Sequence, residues 1–379
     1  MTKYISFSPY YSGLVNIVMS YEMFLAIAAI TKRKVILPPD CWMLFLSRTQ
    51  LKKDWIDFWQ IFDKEVLLKE FNCIEHNDVP EFQRNLKKMQ NRVSYTANLG
   101  KFDLDLFEYG ESGDVVSDDH TVFSCNPAKT KDYEDFVGGR KEFDLDMDEQ
   151  FLHFENNLFG HFWYQIYPGG ENQRNALKDK INKVLKYHDK FYFYADAVRK
   201  DIGPFNSVHV RRNDFLDARK EELDCVNGPD KILEAIEKLP FAEPDLPIYI
   251  ATDEQDRSFF EKVADKFDIY FYEDFEYQFG DDFPDDDLHV AVLEQVICSQ
   301  SENYFGTYLS TFSKRINIMR GLEGRQADDW MGVNYMPEEP DEDLVDVFPW
   351  RNMNDKTWCW NSSSHPQWLI EREGEWIER

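Results

Sequence analysis

Between residues 206 and 320, short apolar runs alternate with longer stretches of helical spacing, and this alternation restricts the fold more than any other feature of the chain. Asn206–Val210 alternates as a buried strand does, with Val208 and Val210 on one side. Pro229–Leu239 has helical spacing, and Pro247–Ala251 forms a second strand pattern closed by Thr252-Asp253-Glu254. Asp256–Phe267, Ile269–Tyr272, Leu288–Ser299, Tyr304–Gly306 and Ser310–Arg320 continue the series as helix, strand, helix, strand end and helix. Repeated β-α units predict a parallel sheet covered on both faces, because parallel neighbours need crossover connections and helices supply them.

The amino-terminal stretch repeats the pattern once. Tyr4–Ser8 reads as a strand, Pro9–Gly13 as a loop, Leu14–Thr31 as an apolar helix, and Val35–Leu37 as a strand closed by Pro38-Pro39. The loop before that helix turns unsatisfied backbone N–H groups toward a possible anion, although no G-x-G-x-x-G fingerprint is present. Residues 41–150 are irregular, with Leu51–Glu70 expected as an aromatic-rich helical piece. Phe151–Tyr167 is aromatic and is expected to contain a core strand, and Asn172–Tyr187 and the piece running to Lys200 have helical spacing. A chain of 379 residues exceeds what one core usually holds. The expected division is a Rossmann-like domain with insertions over 1–200, a second Rossmann-like domain over 201–325, and an irregular Trp-rich tail over 326–379 packed on the surface.

The strand at 206–210 runs into His209, Arg211, Arg212 and Asp214. Open α/β sheets keep their ligands at the carboxyl ends of their strands. A planar guanidinium that meets two oxygens at once suits a phosphate better than an ammonium does. The alternation sends adjacent arginines to opposite sides, so Arg211 can face a ligand while Arg212 pairs inward with an acid such as Asp214. The alternative is a plain structural ion pair at a strand end. Further on, Ser310, Thr311 and Ser313 open a helix directly after the strand end at Gly306. Their hydroxyls suit helix capping, and with the N–H groups of the first turn they also suit an anion.

Composition narrows the partners. With 43 basic and 71 acidic residues the formal net charge is −28, a field that repels nucleic acid and anionic membranes. A phosphate site on such a surface has to be built locally. No segment reaches the length of apolar chain a membrane span needs, and no secretory leader is evident at Lys3–Phe7, so the chain as given reads as soluble and cytoplasmic, with a secretory lumen as the alternative. Six cysteines show no C-x-x-C pair and are expected as buried free thiols. Asp103-Leu104-Asp105 and Asp144-Leu145-Asp146 match the D-x-D pattern of metal-using transferases, but neither follows a clear strand, and no metal is expected.

Ser207-Val208-His209-Val210-Arg211-Arg212-Asn213-Asp214-Phe215 resembles the H-x-R-R-x-D-F run of the protein O-fucosyltransferases. Leu293–Cys298 with Tyr304–Thr307 and Ser310–Ser313 is similar to that family's second signature, most like its thrombospondin-repeat branch. Ser6–Pro39 resembles its first βα unit, with Asn16 at the end of the loop. The resemblance implies a GT-B fold, with two Rossmann-like domains facing a cleft, and a metal-independent, inverting enzyme that uses GDP-fucose. On that resemblance Arg211 takes the β-phosphate with His209 beside it, and Ser310, Thr311 and Phe312 line the nucleotide. Asn16 lies near sugar and phosphate, Asp214 completes the charged motif, and residues 201–325 form the nucleotide-sugar domain. Glu294 stands where that branch has an aspartate on guanine. Gly13 stands on the donor side, where that branch has a glutamate as base, so the base is unassigned.

The expected activity is therefore transfer of fucose from GDP-fucose to a hydroxyl of a protein or glycan acceptor, with no cofactor. The alternatives are another donor sugar such as rhamnose, or a catalytically silent protein that binds a GDP-sugar or a glycan.

Overall fold

The computed structural model of the chain describes residues 2–7, 13–37, 41–46, 51–75, 78, 92–96, 130–132, 151–154, 171–213, 215–218, 226–280, 283–284, 286–307, 310–325 and 330–331. The chain divides into two compact units, one of Met1–Phe45 and Lys53–Lys186 with Pro366–Arg379, the other of Leu46–Lys52 with Tyr187–His365.

The first unit holds a six-stranded sheet in the order β5-β2-β1-β8-β6-β7, with its neighbouring strands paired in parallel. Its strands are β1 (Tyr4–Phe7), β2 (Lys34–Leu37), β5 (Cys73–Glu75), β6 (Arg92–Thr96), β7 (Thr130–Asp132) and β8 (Phe151–Phe154), while β3 (Cys41–Leu46) and β4 (Leu51–Ile56) form a separate pair. Helix α1 (Leu14–Thr31) makes the crossover from β1 to β2 and buries Ile17, Val18, Phe24 and Leu25. It closes at Lys32, whose φ of 52° puts it in the left-handed region and whose N–H bonds back to Ala28 and Ala29. The expected core strand within 151–167 is β8, which sits between β1 and β6.

The expected helix over Leu51–Glu70 does not form. The chain makes β4, then one 3-10 turn at Phe58–Gln60, then α2 (Lys64–Glu70). Two aspartates explain the division. Asp57 accepts the N–H of Trp59, and Asp63 accepts those of Glu65 and Val66, so both sit at helix starts rather than inside a helix.

Helices α3 (Glu171–Val184) and α4 (Asp189–Ile202) lead into the second unit, whose sheet runs β11-β10-β9-β12-β13, again parallel throughout. Its strands are β9 (Asn206–Val210), β10 (Ile248–Thr252), β11 (Ile269–Tyr270), β12 (Tyr304–Thr307) and β13 (Trp330–Met331). Helices α5 (Phe215–Ala218), α6 (Pro229–Glu237), α7 (Glu261–Ala264), α8 (Asp287–Ser299) and α9 (Thr311–Leu322) connect them. The expected strand Ile269–Tyr272 stops at Tyr270, because the Asp274 carboxylate accepts the Phe271 N–H and turns the chain into a 3-10 segment. The expected helix Asp256–Phe267 is likewise a 3-10 turn at Arg257–Phe260 capped by Asp256, followed by the short α7.

The two faces of this sheet differ in chemistry. Val208, Val210, Ile248, Ile250 and Phe305 point to one side, against Ile232 and Ile236 of α6 and Phe259, Phe260 and Val263. Alternation sends Ser207, His209, Tyr249, Tyr304 and Gly306 to the other side, where α8 and α9 pack. That side is held by polar contacts. Ser207 and Ser301 share a hydrogen bond of 2.7 Å, and Tyr187 donates to Gln295 over 2.6 Å. Arg320, fully buried on α9, donates to the carbonyls of Cys298, Ser299, Ser301 and Glu302 at the carboxyl end of α8. That cap fixes the turn from which β12 starts. Cys73 and Cys298 are free thiols, and burial pushes Cys73 up to about 12.

Among the described residues no helix is long and apolar enough to cross a membrane. The two D-x-D motifs, Asp214 and the tail apart from Trp330–Met331 lie outside the described residues.

Candidate functional site

The carboxyl ends of β9, β10 and β12 lie side by side in register, with Val210 opposite Thr252 and His209 opposite Gly306. Three hydroxyl or carboxylate groups lock them there. Thr307 donates to the His209 carbonyl over 2.7 Å and accepts the Arg211 N–H over 2.9 Å, tying β12 to β9 through one oxygen. Thr252 donates to the Val210 carbonyl over 2.7 Å, and Asp253 accepts the Arg212 N–H at the same distance. The carbonyls of His209 and Val210 and the N–H groups of Arg211 and Arg212 thus each have a side-chain partner, which is how a strand end can hold a non-repeating conformation without stranding those polar atoms.

The two arginines diverge as alternation requires. Arg212 turns back onto the protein. Its Nη1 donates to Glu254 over 2.7 Å and its guanidinium carbon lies 3.5 Å from the centroid of the Phe259 ring. Among the described residues its inward partner is Glu254 at the end of β10, while the expected partner Asp214 lies outside them. The reason is register, since β10 ends directly beside β9 and presents Asp253-Glu254 at that level. Arg211 keeps a fifth of its side chain exposed, with Nε 3.4 Å from Asp253 and its guanidinium 5.6 Å from the Phe215 ring centroid.

His209 is only 4% exposed. Its Nδ1 lies 2.7 Å from the Ser313 hydroxyl, and its ring stacks on Phe312 with centroids 4.5 Å apart. Burial, with the Arg211 charge second, pushes its pKa down to about 3, so the imidazole is neutral at physiological pH. Gly306 permits this contact. A β-carbon there would stand 2.5 Å from the Ser313 hydroxyl and 2.7 Å from the Tyr304 hydroxyl, distances that real β-carbons do not adopt. Glycine at the strand end lets α9 come down onto β12.

Ser310 occupies the N-cap of α9 with extended backbone and makes no side-chain cap hydrogen bond, and Ser313 turns to His209 instead of capping. Ser310 is buried, while Thr311 and Phe312 are half-buried in the first turn. The structure thus brings together His209, Arg211, Ser310, Thr311 and Phe312 around two adjacent strand ends. Glu294 is half-buried on α8, near enough to Tyr249 and Cys298 for its charge to oppose ionisation of both. Asn16 and Gly13 belong to the first unit, at the start of α1. Gly13 has extended backbone (φ −64°, ψ 156°), and among the described residues a β-carbon on it would meet nothing within 4 Å, so neither its conformation nor those neighbours require glycine there.

Thr307, Asp253, Glu254 and Ser313 have roles that the sequence reading did not assign. For Thr307, Asp253 and Glu254 the signal is positional, since polar residues within three places of Ala251 and Gly306 fall at the level of Arg211 once the strands are parallel. Together the group offers a guanidinium, a buried neutral imidazole and the first N–H groups of a helix, a set of donors suited to an anionic ligand. Among the described residues no group of three or more His, Cys, Asp or Glu is placed to hold a metal.

The family model described as GDP-fucose protein O-fucosyltransferase matches residues 4–323. A Caenorhabditis elegans protein named GDP-fucose protein O-fucosyltransferase 2 is 33% identical over 124 residues, which cover 32% of this chain and 27% of that protein. The Homo sapiens protein of the same name is 24% identical over 155 residues, 36% of this chain and 32% of that one. The matched stretches thus take in about a third or less of these relatives. Among solved structures, POFUT1 in its apo form superposes with a TM-score of 0.54 at 16% identity, covering 87% of this chain and 98% of that one. POFUT1 in complex with GDP-fucose gives 0.52 at 15% identity, with the same coverage. The shared architecture is the GT-B type of α/β fold.

Proposed function

Since the chain belongs to the GDP-fucose protein O-fucosyltransferase family, we propose that it transfers fucose from GDP-fucose to a hydroxyl of a protein or glycan acceptor, with inversion and without a metal. One observation carries this reading most. Arg211 leaves β9 partly exposed, beside the buried His209 and the open first turn of α9. As the glycosidic bond breaks, the departing diphosphate gathers negative charge. Donors already fixed in place stabilise that charge without reorganising, which is the role a divalent ion plays in metal-using transferases. Thr307, by holding the His209 carbonyl and the Arg211 N–H through one hydroxyl, keeps the two donors in fixed relation.

In this reading Arg211 binds the β-phosphate, Ser310, Thr311 and Phe312 line the nucleotide, Asn16 serves the sugar side, and Glu294 accepts from the guanine N1–H and N2–H₂. Asp214 keeps its motif role as a supporting charge. A second reading, a silent GDP-sugar-binding protein, draws on Gly13, which has no side chain to act as base where the resembling branch has a carboxylate. The experiment that separates them is release of GDP from GDP-fucose, with and without acceptor, in the presence of chelator, alongside thermal shifts with GDP, ADP and UDP. Turnover that survives chelation, with a shift from GDP alone, supports the transferase. Binding without turnover supports the silent protein. Equal shifts from GDP and UDP remove the guanine assignment and favour another donor.

A further inference from the structure

The His209–Ser313 contact raises a question that the anion-binding reading leaves open, namely which imidazole nitrogen carries the proton. A neutral histidine has one N–H and one bare nitrogen, and only the N–H can serve an anion. We propose that Ser313 is a positioning residue whose hydroxyl donates to His209 Nδ1 and thereby holds the proton on Nε2, the nitrogen left for a phosphate oxygen of the nucleotide sugar. The inference rests on the nucleotide-sugar reading for the ligand, but the tautomer itself is a property of the protein alone.

Three observations support it. Ser313 is fully buried and His209 nearly so, so water does not compete for the 2.7 Å contact between them. Phe312 stacks on the ring and prevents it from flipping its nitrogens, and Thr307 holds the backbone of the same residue by its carbonyl. Gly306 leaves the gap into which Ser313 fits, so the contact is built by three elements, β9, β12 and α9. The opposite arrangement, with Nδ1–H donating to Ser313, would turn a bare Nε2 lone pair toward an anion and repel it.

The test is long-range ¹H–¹⁵N correlation on the full chain labelled at histidine, with His209→Gln to assign the signals, recorded without nucleotide. The expected spectrum has a bare Nδ1 and a protonated Nε2. In Ser313→Ala the two tautomers should mix, and GDP affinity measured by titration should fall roughly three- to tenfold, the scale of one net hydrogen bond. Ser313→Thr keeps the hydroxyl and should restore both. A protonated Nδ1 in the unmodified protein overturns the proposal, and so does a Ser313→Ala protein with an unchanged spectrum and unchanged GDP affinity. If the tautomer is as stated but the unmodified protein binds no GDP, the nucleotide-sugar reading fails and the positioning role fails with it. The two failures are told apart because the spectrum needs no ligand.

Discussion

The guanidinium of Arg212 lies over the ring of Phe259, 3.5 Å from its centroid, while its neighbour Arg211 remains partly open to solvent. Arg212 thus belongs to the protein's own packing. Both it and Glu254 are mostly buried, and removing one partner leaves the other charge uncompensated. Arg212→Ala should cost about 3 kcal/mol of stability, including the lost cation–π contact. Activity per folded molecule should stay within about threefold. Chemical denaturation read beside active-site-normalised turnover checks both parts, and a folded, stable variant with lost turnover would move Arg212 into the site.

Gly306 should resist even alanine. The new β-carbon would crowd Ser313 and Tyr304, and overpacking of this kind costs typically about 1–3 kcal/mol. Because the crowding is at Ser313, Ser313→Gly should damage the Gly306→Ala protein less than it damages the unmodified one. A double-mutant cycle by thermal melting measures that coupling. Simple additivity would show that the close approach of α9 to β12 is not what requires glycine.

Much of this was legible in the residues. Val208 and Val210 mark β9 because a buried central strand leaves a period-two signal, and the apolar run of α1 is bounded by the breaks at Gly13 and Lys32. Leu51–Glu70 misled because aromatic content was read as helix where no period supports it, and Asp57 and Asp63 are cap residues in that stretch. The site was half legible. Arg211 and Ser310 stand out as charge and cap signals at strand ends, but the partners of His209 and Arg212 do not. Ser313 is 104 positions from His209, and Glu254 is 42 from Arg212, so only sheet register brings either pair together. Asp214, named from the local motif, lies outside the described residues, and the partner of Arg212 seen among them comes from the neighbouring strand.

His209 should make the protein acid-sensitive without making its catalysis pH-dependent near neutrality. An imidazole in an unfolded chain takes up a proton near pH 6.5, whereas in the fold burial delays this to about 3. Between those values the unfolded state binds more protons, so stability rises with pH. This contribution is fully present above about 6.5 and is lost as pH falls toward about 3. Compared with His209→Gln, the unmodified protein should lose stability more steeply over that window, by up to about 1.4 kcal/mol per pH unit for one proton. Denaturant melts from pH 7 to pH 4 on both proteins provide the comparison. Parallel curves would show that His209 titrates alike in both states.

Arg211 provides the sharpest test of the proposed chemistry. If its guanidinium meets the β-phosphate, the contact strengthens as the leaving group gains charge, so its removal should lower kcat and not only raise KM. Arg211→Ala should lose on the order of 10² to 10³ in rate, roughly 3 to 4 kcal/mol in the barrier, as when one preorganised donor to a developing anion is removed. Arg211→Lys keeps the charge but gives up the two-pronged donor, and should also be poor. The fold should tolerate both changes, because the Thr307 tie engages the backbone N–H of Arg211, which any residue but proline supplies. Steady-state turnover of GDP-fucose, with circular dichroism to verify folding, makes the measurement. An Arg211→Ala protein with near-normal kcat would leave the strand end as a structural junction, with Arg211 paired to Asp253 much as Arg212 is to Glu254.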